Sequence, residues 1–178
     1  MAVHEFIALD GVIENPSWTF DYGFDPKMGE ILGAITNASD AILLGRTTFE
    51  AFAPAWSTRT VEDDPGAPFF NDTTKYVVGS HEPNVEWANS VHLGPYDPDV
   101  IRNLKTETDG GIYVSGSGML VRGLLEDGLV DDLHLFVYPT ARGEGDRLWK
   151  DGEQTKLALK GYDVYENGVV HLNYGPAE

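Results

Sequence analysis

At 178 residues, with 42% hydrophobic and 11% aromatic content, the chain is long enough for one domain with a full core and too apolar to be disordered. It has no cysteine, which excludes disulfides, thiolate chemistry and zinc–thiolate sites. Its formal net charge of −17, from 29 acids against 12 bases, disfavours nucleic acid and anionic membrane as partners. A phosphate site in such a field needs local Arg or backbone donors. No apolar run approaches membrane-spanning length. Met1-Ala2-Val3-His4-Glu5 lacks the basic start and apolar core of a signal peptide, so the expected location is the cytoplasm. The acidity is dispersed, which suits plain solubility or a high-salt cytoplasm.

Residues 3–9 read as a first strand, broken by Asp10-Gly11 and resumed at Val12-Ile13-Glu14. Asn15-Pro16-Ser17 is a loop, followed by the aromatic-rich Trp18-Thr19-Phe20-Asp21-Tyr22-Gly23-Phe24. Those rings either pack their own loop down or wall a pocket for a flat ring. Asp25-Pro26 starts a helix, with Asp as N-cap and Pro at the first helical position. Ala41-Ile42-Leu43-Leu44 is an all-apolar run of the buried parallel type. A helix follows from Gly45-Arg46-Thr47-Thr48-Phe49-Glu50, where Thr47 and Glu50 have the spacing of a capping box. Residues 54–74 are polar and proline-bearing, and read as a long surface excursion. Lys75-Tyr76-Val77-Val78 is a third interior strand, and Val91-His92-Leu93 a short further one. Asp97-Pro98 caps a helix through Leu104.

Gly111 to Leu125 reads as a buried strand, a glycine-rich turn and a helix that Gly128 closes. Gly116 and Gly118 supply two glycines of G-x-G-x-x-G, but Val121 stands at the third, so a standard Rossmann domain is a poor match. Asp132 to Tyr138 is the next strand. Leu157–Tyr165 and Val169–Tyr174 flank Glu166-Asn167-Gly168, whose Asn-Gly is a strong hairpin signal. Alternating β and α segments followed by a late hairpin predict α/β: one mixed, mostly parallel sheet with helices on both faces and a C-terminal antiparallel hairpin. His4, His92, His134 and His171 show no metal-ligand spacing, and no metal site is expected.

Three strand ends carry glycine with small polar or basic neighbours: Gly45-Arg46-Thr47, Gly79-Ser80-His81 and Gly116-Ser117-Gly118. In an open α/β sheet, ligands bind at the carboxyl ends of the strands. Side by side, these ends could hold an extended, multiply phosphorylated ligand. Each turn alone is equally consistent with a tight connector.

The segments Ala8 to Ile13, Leu44 to Glu50, Lys75 to Ser80, Ile112 to Leu125, Gly128 to Leu133 and Pro139 to Trp149 resemble the dihydrofolate reductase-like family. The branch is the one that includes the reductase domain of bacterial riboflavin biosynthesis. The resemblance spans most of the chain and implies a dihydrofolate reductase-like fold that binds NADPH and transfers hydride to a pterin- or pyrimidine-like substrate. It places Gly45, Arg46 and Thr47 on cofactor phosphates, and Ser80 by the adenosine ribose and its 2′-phosphate. Gly116, Ser117, Gly118 and Met119 would cradle the pyrophosphate. Trp18 and Phe20 would stand near the nicotinamide and substrate ring, with Asp10 beside the site. Arg142 is a spare candidate for a substrate phosphate. A nucleotide-binding module without catalysis, or a purely structural homodimer, remain the alternatives. The resemblance also implies a homodimer. The apolar late hairpin (Val164, Tyr165, Val169, Val170, Leu172, Tyr174) and the Pro139–Trp149 loop are expected near its interface.

Overall fold

The computed structural model describes residues 1–152 and 154–177. β1 (Ala2–Ala8) opens the chain, and a 3₁₀ helix (Pro16–Tyr22) leads into α1 (Pro26–Asn37). β2 (Ser39–Gly45) runs directly into α2 (Arg46–Trp56), followed by α3 (Ala67–Asp72) and β3 (Thr74–Val78). β4 (Ser90–Gly94), α4 (Pro98–Glu107), β5 (Gly111–Ser115), α5 (Gly118–Glu126) and β6 (Asp132–Tyr138) come next. β7 (Leu157–Val164) and β8 (Val170–Pro176) form the late hairpin.

One eight-stranded sheet takes them in the order β4-β3-β2-β5-β1-β6-β8-β7. Pairings from β4 to β6 are parallel, and β8 joins β6 and β7 antiparallel. This is the mixed, mostly parallel sheet expected. The all-apolar β2 shows why: Ala41 and Leu43 enter one core cluster with α4 and α5, while Ile42 and Leu44 enter another with α1, α2 and α3. A strand apolar on both faces must be covered on both. In α5, burial of Leu120, Val121 and Leu124 contributes about 1.5–3 kcal/mol for each side chain.

Helix ends follow their local chemistry. Asp25 accepts from Lys27 N at 2.9 Å and Asp97 from Asp99 N at 2.9 Å, each before a proline. Gly128, at φ 66, stops α5: Gly128 N donates to Leu125 O (3.2 Å) and Leu129 N to Leu124 O (2.9 Å), a Schellman motif. At the hairpin only Gly168 has positive φ, so the loop is not the two-residue Asn-Gly turn. Tyr165 N donates to Val169 O at 3.0 Å across a three-residue loop with glycine in the left-handed position.

Three expectations are corrected. The 54–74 stretch is not a plain excursion: α2 continues through Pro54 to Trp56, and α3 follows with Ala67 and Phe70 buried. Trp56 stacks on Phe70 at 4.1 Å, so tertiary packing overrides the proline's local preference. The Thr47–Glu50 capping box does not form. The strand runs on to Gly45, which becomes the N-cap, and Glu50 turns to Arg46 instead. Finally, Tyr165 and Val169 are buried with Phe136 and Tyr138, so the hairpin's exposed apolar surface lies on β7, at Leu159, Tyr162 and Val164. The 139–147 loop docks on the exit of β1, with Leu9 N on Thr140 O (2.7 Å) and Leu148 N on Gly11 O (2.9 Å).

Candidate functional site at the strand ends

β3, β2 and β5 are sheet neighbours, so their glycine-bearing ends stand side by side. α2 and α5 both begin on that edge and turn free N–H groups and the positive ends of their dipoles toward it. Gly116 (φ 62) and Ser117 (φ 65) make the sharp turn into α5. Ser117 clamps the two helix starts together: Gly45 N donates to its Oγ at 3.0 Å, and Thr48 Oγ1 lies 2.5 Å from the same atom.

The turns interlock closely enough to explain their glycines by packing. A Cβ on Gly45 would lie 2.3 Å from Ser117 Oγ, and one on Gly79 2.8 Å from Arg46 Cβ. One on Gly116 would lie 3.0 Å from Thr48 Cγ2, and one on Gly118 2.8 Å from Ile13 Cδ1. Gly116→Val therefore strains a left-handed residue as well as its neighbour, and does not isolate ligand approach.

Arg46 Nη1 sits 3.0 Å from both Glu50 carboxylate oxygens, and Glu50 Oε1 also accepts from Asn84 N at 2.9 Å. The Asn84 N–H, more than the arginine, holds the Glu50 carboxyl below its usual range. Thr47, Ser80 and Met119 are exposed on the rim. His92 Nε2 donates to Gly79 O at 2.8 Å and steadies the β3 exit.

Two arginines join this edge that the sequence reading passed over. Arg122 stands one turn into α5, with its Nη1 3.1 Å from where a Gly118 Cβ would be, and donates to Arg147 O at 2.8 Å. Arg147 Nε in turn donates to Asp10 O at 3.0 Å. The signal for Arg122 was its i+4 spacing from Gly118. Arg142 lies in the exposed loop.

The three residues expected at the reacting end separate. Asp10 Oδ2 accepts from Gly143 N at 2.7 Å, and that backbone donor lowers its carboxyl below the usual range. It is an ionised latch for the 139–147 loop. Glu14 adds a second, accepting from Asp146 N at 3.0 Å. Trp18 is buried, edge-on to Tyr138 at 5.4 Å, with its Nε1 donating to Glu14 O at 3.3 Å. Phe20, on the same 3₁₀ helix, is 84% exposed. Asp25 is occupied as a cap and also accepts from Glu166 N at 3.2 Å.

Beneath the turns β1 carries two buried ionisable groups in succession. His4 Nδ1 meets Tyr113 Oη at 3.1 Å and Ser115 Oγ at 3.4 Å. Burial, with His134 and His171 nearby, pulls its pKa down to about 3. Glu5, one residue on and facing the other side of the sheet, is pushed up to about 8 by burial. His4 pairs with Ser115 in the sheet, which puts Glu5 level with Gly116. The readable signal was adjacency: consecutive polar residues in an interior strand put one on each face. Among the described residues no group of three His, Cys, Asp or Glu is placed to hold a metal ion, and no helix is long and apolar enough to cross a membrane.

Known proteins share this fold. A chain from Shewanella sp. PV-4, described as a riboflavin biosynthesis protein, superposes with a TM-score of 0.73 over 100% of both chains at 16% identity. The riboflavin biosynthesis reductase Rib7 of Saccharomyces cerevisiae gives 0.63 at 16% identity, over 99% of this chain and 89% of that one. In Thermotoga maritima a diaminohydroxyphosphoribosylaminopyrimidine deaminase/5-amino-6-(5-phosphoribosylamino)uracil reductase gives 0.68 at 14% identity, over 99% of this chain and 56% of that longer one. In sequence, the uncharacterized protein YyaP of Bacillus subtilis is 25% identical over 173 residues, covering 94% of this chain and 90% of YyaP. The match to the family description RibD C-terminal domain runs over residues 2–171, from β1 into β8, and takes in all three glycine-bearing strand ends. The chain belongs to the RibD C-terminal domain family.

Proposed function

We propose that the chain is an NADPH-dependent reductase acting on a small heterocyclic substrate, pterin- or pyrimidine-like and of riboflavin-pathway type. The observation that carries this reading is the alignment of the β3, β2 and β5 ends, with two helix N-termini opening on one edge. That donor set suits a pyrophosphate. Free N–H groups at the start of α5 (Gly118, Met119) and α2 would hold the phosphates, with Arg122 beside Gly118. Arg46, exchanging Glu50 for an anion, would meet the 2′-phosphate together with Ser80. The bound cofactor supplies the hydride, and the protein supplies orientation. Exposed Phe20 offers a ring to the substrate, and the latched 139–147 loop sets the shape of the β1 exit.

NADPH oxidation across a panel of pterins and pyrimidines tests this: turnover of at least one is expected. A second reading, cofactor binding without turnover, is favoured by one feature. Asp10 and Asp25 are both tied up in hydrogen bonds, so neither is a free acid at the mouth. Tight NADPH binding with no turnover on the whole panel would select that reading.

Arg46→Ala is expected to weaken NADPH by about tenfold or more and NADH far less, since a charge-assisted contact to the extra phosphate is worth about 1.5–3 kcal/mol. Titration calorimetry with both nucleotides reads the difference, and equal losses would reject the 2′-phosphate role.

We also propose that the chain pairs as a homodimer along β7, where Leu159, Tyr162 and Val164 are 54–67% exposed on an edge strand. The −17 charge opposes association, so pairing should tighten with salt. Light scattering is expected to give twice the 19.5 kDa chain mass. A single-chain mass at both low and high salt would rule the pairing out.

A further inference from the structure

At the opposite end of the strands a cavity of about 510 Å³ opens between α1 and the β7–β8 hairpin. β2 runs from Ser39, in the cavity wall, to Gly45, in the nucleotide edge, so the two sites lie roughly 20 Å apart at about 3.3 Å per residue. The α1 side is apolar: Ile31, Ala34, Ile35 and Ala38. The sheet side is polar, and its hydrogen bonds leave it rich in acceptors.

Asp163 stands in the cavity wall. Its Oδ2 lies 3.1 Å from His171 Nδ1, and a carboxylate only accepts, so His171 carries its proton on Nδ1. Its Nε2 lies 2.9 Å from His134 Nδ1. Where that Nε2 carries a lone pair, His134 donates to it from Nδ1 and keeps its own Nε2 as an acceptor. Burial, reinforced by His171, pulls the His134 pKa down to about 4 and keeps the ring neutral near pH 7. His171, the middle of the relay, is 3% exposed, while Asp163 is about half exposed at its outer end.

Two further polar residues line the same space. Asn173 Nδ2 donates to Asp132 Oδ1 at 3.3 Å, which fixes its amide, and its buried Oδ1 has no partner among the described residues. Ser39 Oγ donates to Ile35 O at 2.8 Å, leaving its lone pairs free. Lys160 neutralises Asp132, so the negative charge left in the wall is Asp163. An acceptor-rich floor, an apolar wall and a chain of net charge −17 call for a flat, apolar-bodied donor that carries positive charge.

We propose that this cavity binds a planar organic cation of the amidinium or guanidinium class. Such a ligand would lay its body on α1 and point its N–H groups at His134 Nε2, Asn173 Oδ1 and Asp163. Of the β7 residues offered for pairing, Tyr162 also lines the cavity, while Leu159 and Val164 do not.

Benzamidine is the probe, with benzoate as its anionic counterpart, each titrated calorimetrically into the full chain. Benzamidine is expected to bind at least about tenfold more tightly than benzoate, with equal affinity whether NADPH is present or absent. His134→Phe keeps the ring and removes the acceptor, and should weaken benzamidine about tenfold. Should that sheet variant fail to fold, Ala34→Phe decides: Ala34 is exposed on α1 and lines the cavity, so a larger ring there fills it. Loss of benzamidine binding in Ala34→Phe supports the site. Unchanged binding in that variant, equal binding of benzoate, or competition with NADPH would overturn it.

Discussion

Gly45→Ala is expected to lower the unfolding free energy by about 2–3 kcal/mol, as overpacking at a rigid contact does. Gly45 has φ −73 and ψ 150, a conformation open to any residue, so its need for glycine is steric alone. The added Cβ would stand 2.3 Å from Ser117 Oγ and 2.8 Å from Ser117 Cβ. Ser117 has little room to retreat, because Gly45 N and Thr48 Oγ1 hold its hydroxyl and its backbone is left-handed. Ser117→Gly removes both clashing atoms and suits φ 65, at the loss of hydrogen bonds worth about 1 kcal/mol each. The double variant Gly45→Ala/Ser117→Gly should therefore recover stability relative to the sum of the single losses, with a coupling of about 1–2 kcal/mol. Urea unfolding of the four proteins measures the cycle. Strictly additive losses would mean that the two turns do not interlock, and that glycine at this strand end answers to a ligand.

That interlock marks the boundary of what the sequence discloses. Chain punctuation was legible: Asp25-Pro26, Asp97-Pro98 and Gly128 set helix ends through groups within a few residues, and the structure keeps all of them. The apolar runs of β2 and β5 located the centre of the sheet, and their glycine ends located the edge where α2 and α5 begin. What stayed hidden depends on partners far along the chain. Arg147 reaches Asp10 only because the 139–147 loop folds back on β1, across more than 130 positions. Trp18 and Phe20 are two residues apart, yet the 3₁₀ helix buries one and exposes the other, so composition could not assign them a common role. α3 was masked by Pro54 and a polar surround, and forms because Phe70 finds Trp56 and Phe52. The capping-box pattern at Thr47 failed because β2 extends to Gly45, a boundary set by its pairing with Val78 of β3.

Glu5→Gln is expected to leave stability unchanged near pH 4.5 and to raise it by about 4–5 kcal/mol at pH 8 and above. Glu5 is buried on β1, its Oε1 has no partner among the described residues, and burial moves its pKa from 4.5 to about 8. The folded chain thus keeps a proton that the unfolded chain releases above pH 4.5. The stability linked to that proton is fully present below pH 4.5 and is lost as the pH rises toward 8, at about 1.4 kcal/mol per pH unit. Glutamine has the shape of the protonated acid and never ionises, so the variant lacks this slope. The acid side is governed by other residues. His4 and His134, at about 3 and about 4, stay neutral in the fold while the unfolded chain protonates near 6.5, so stability also falls as the pH drops from 6.5 toward 4. Those losses are common to both proteins and cancel in the difference. The wild-type stability maximum should therefore sit near pH 6.5, and the Gln variant's should broaden toward alkaline pH. Urea midpoints from pH 5 to 9 test this. A difference that stays flat with pH would show that Glu5 is ionised in the fold, with a compensating charge or solvent at its carboxylate.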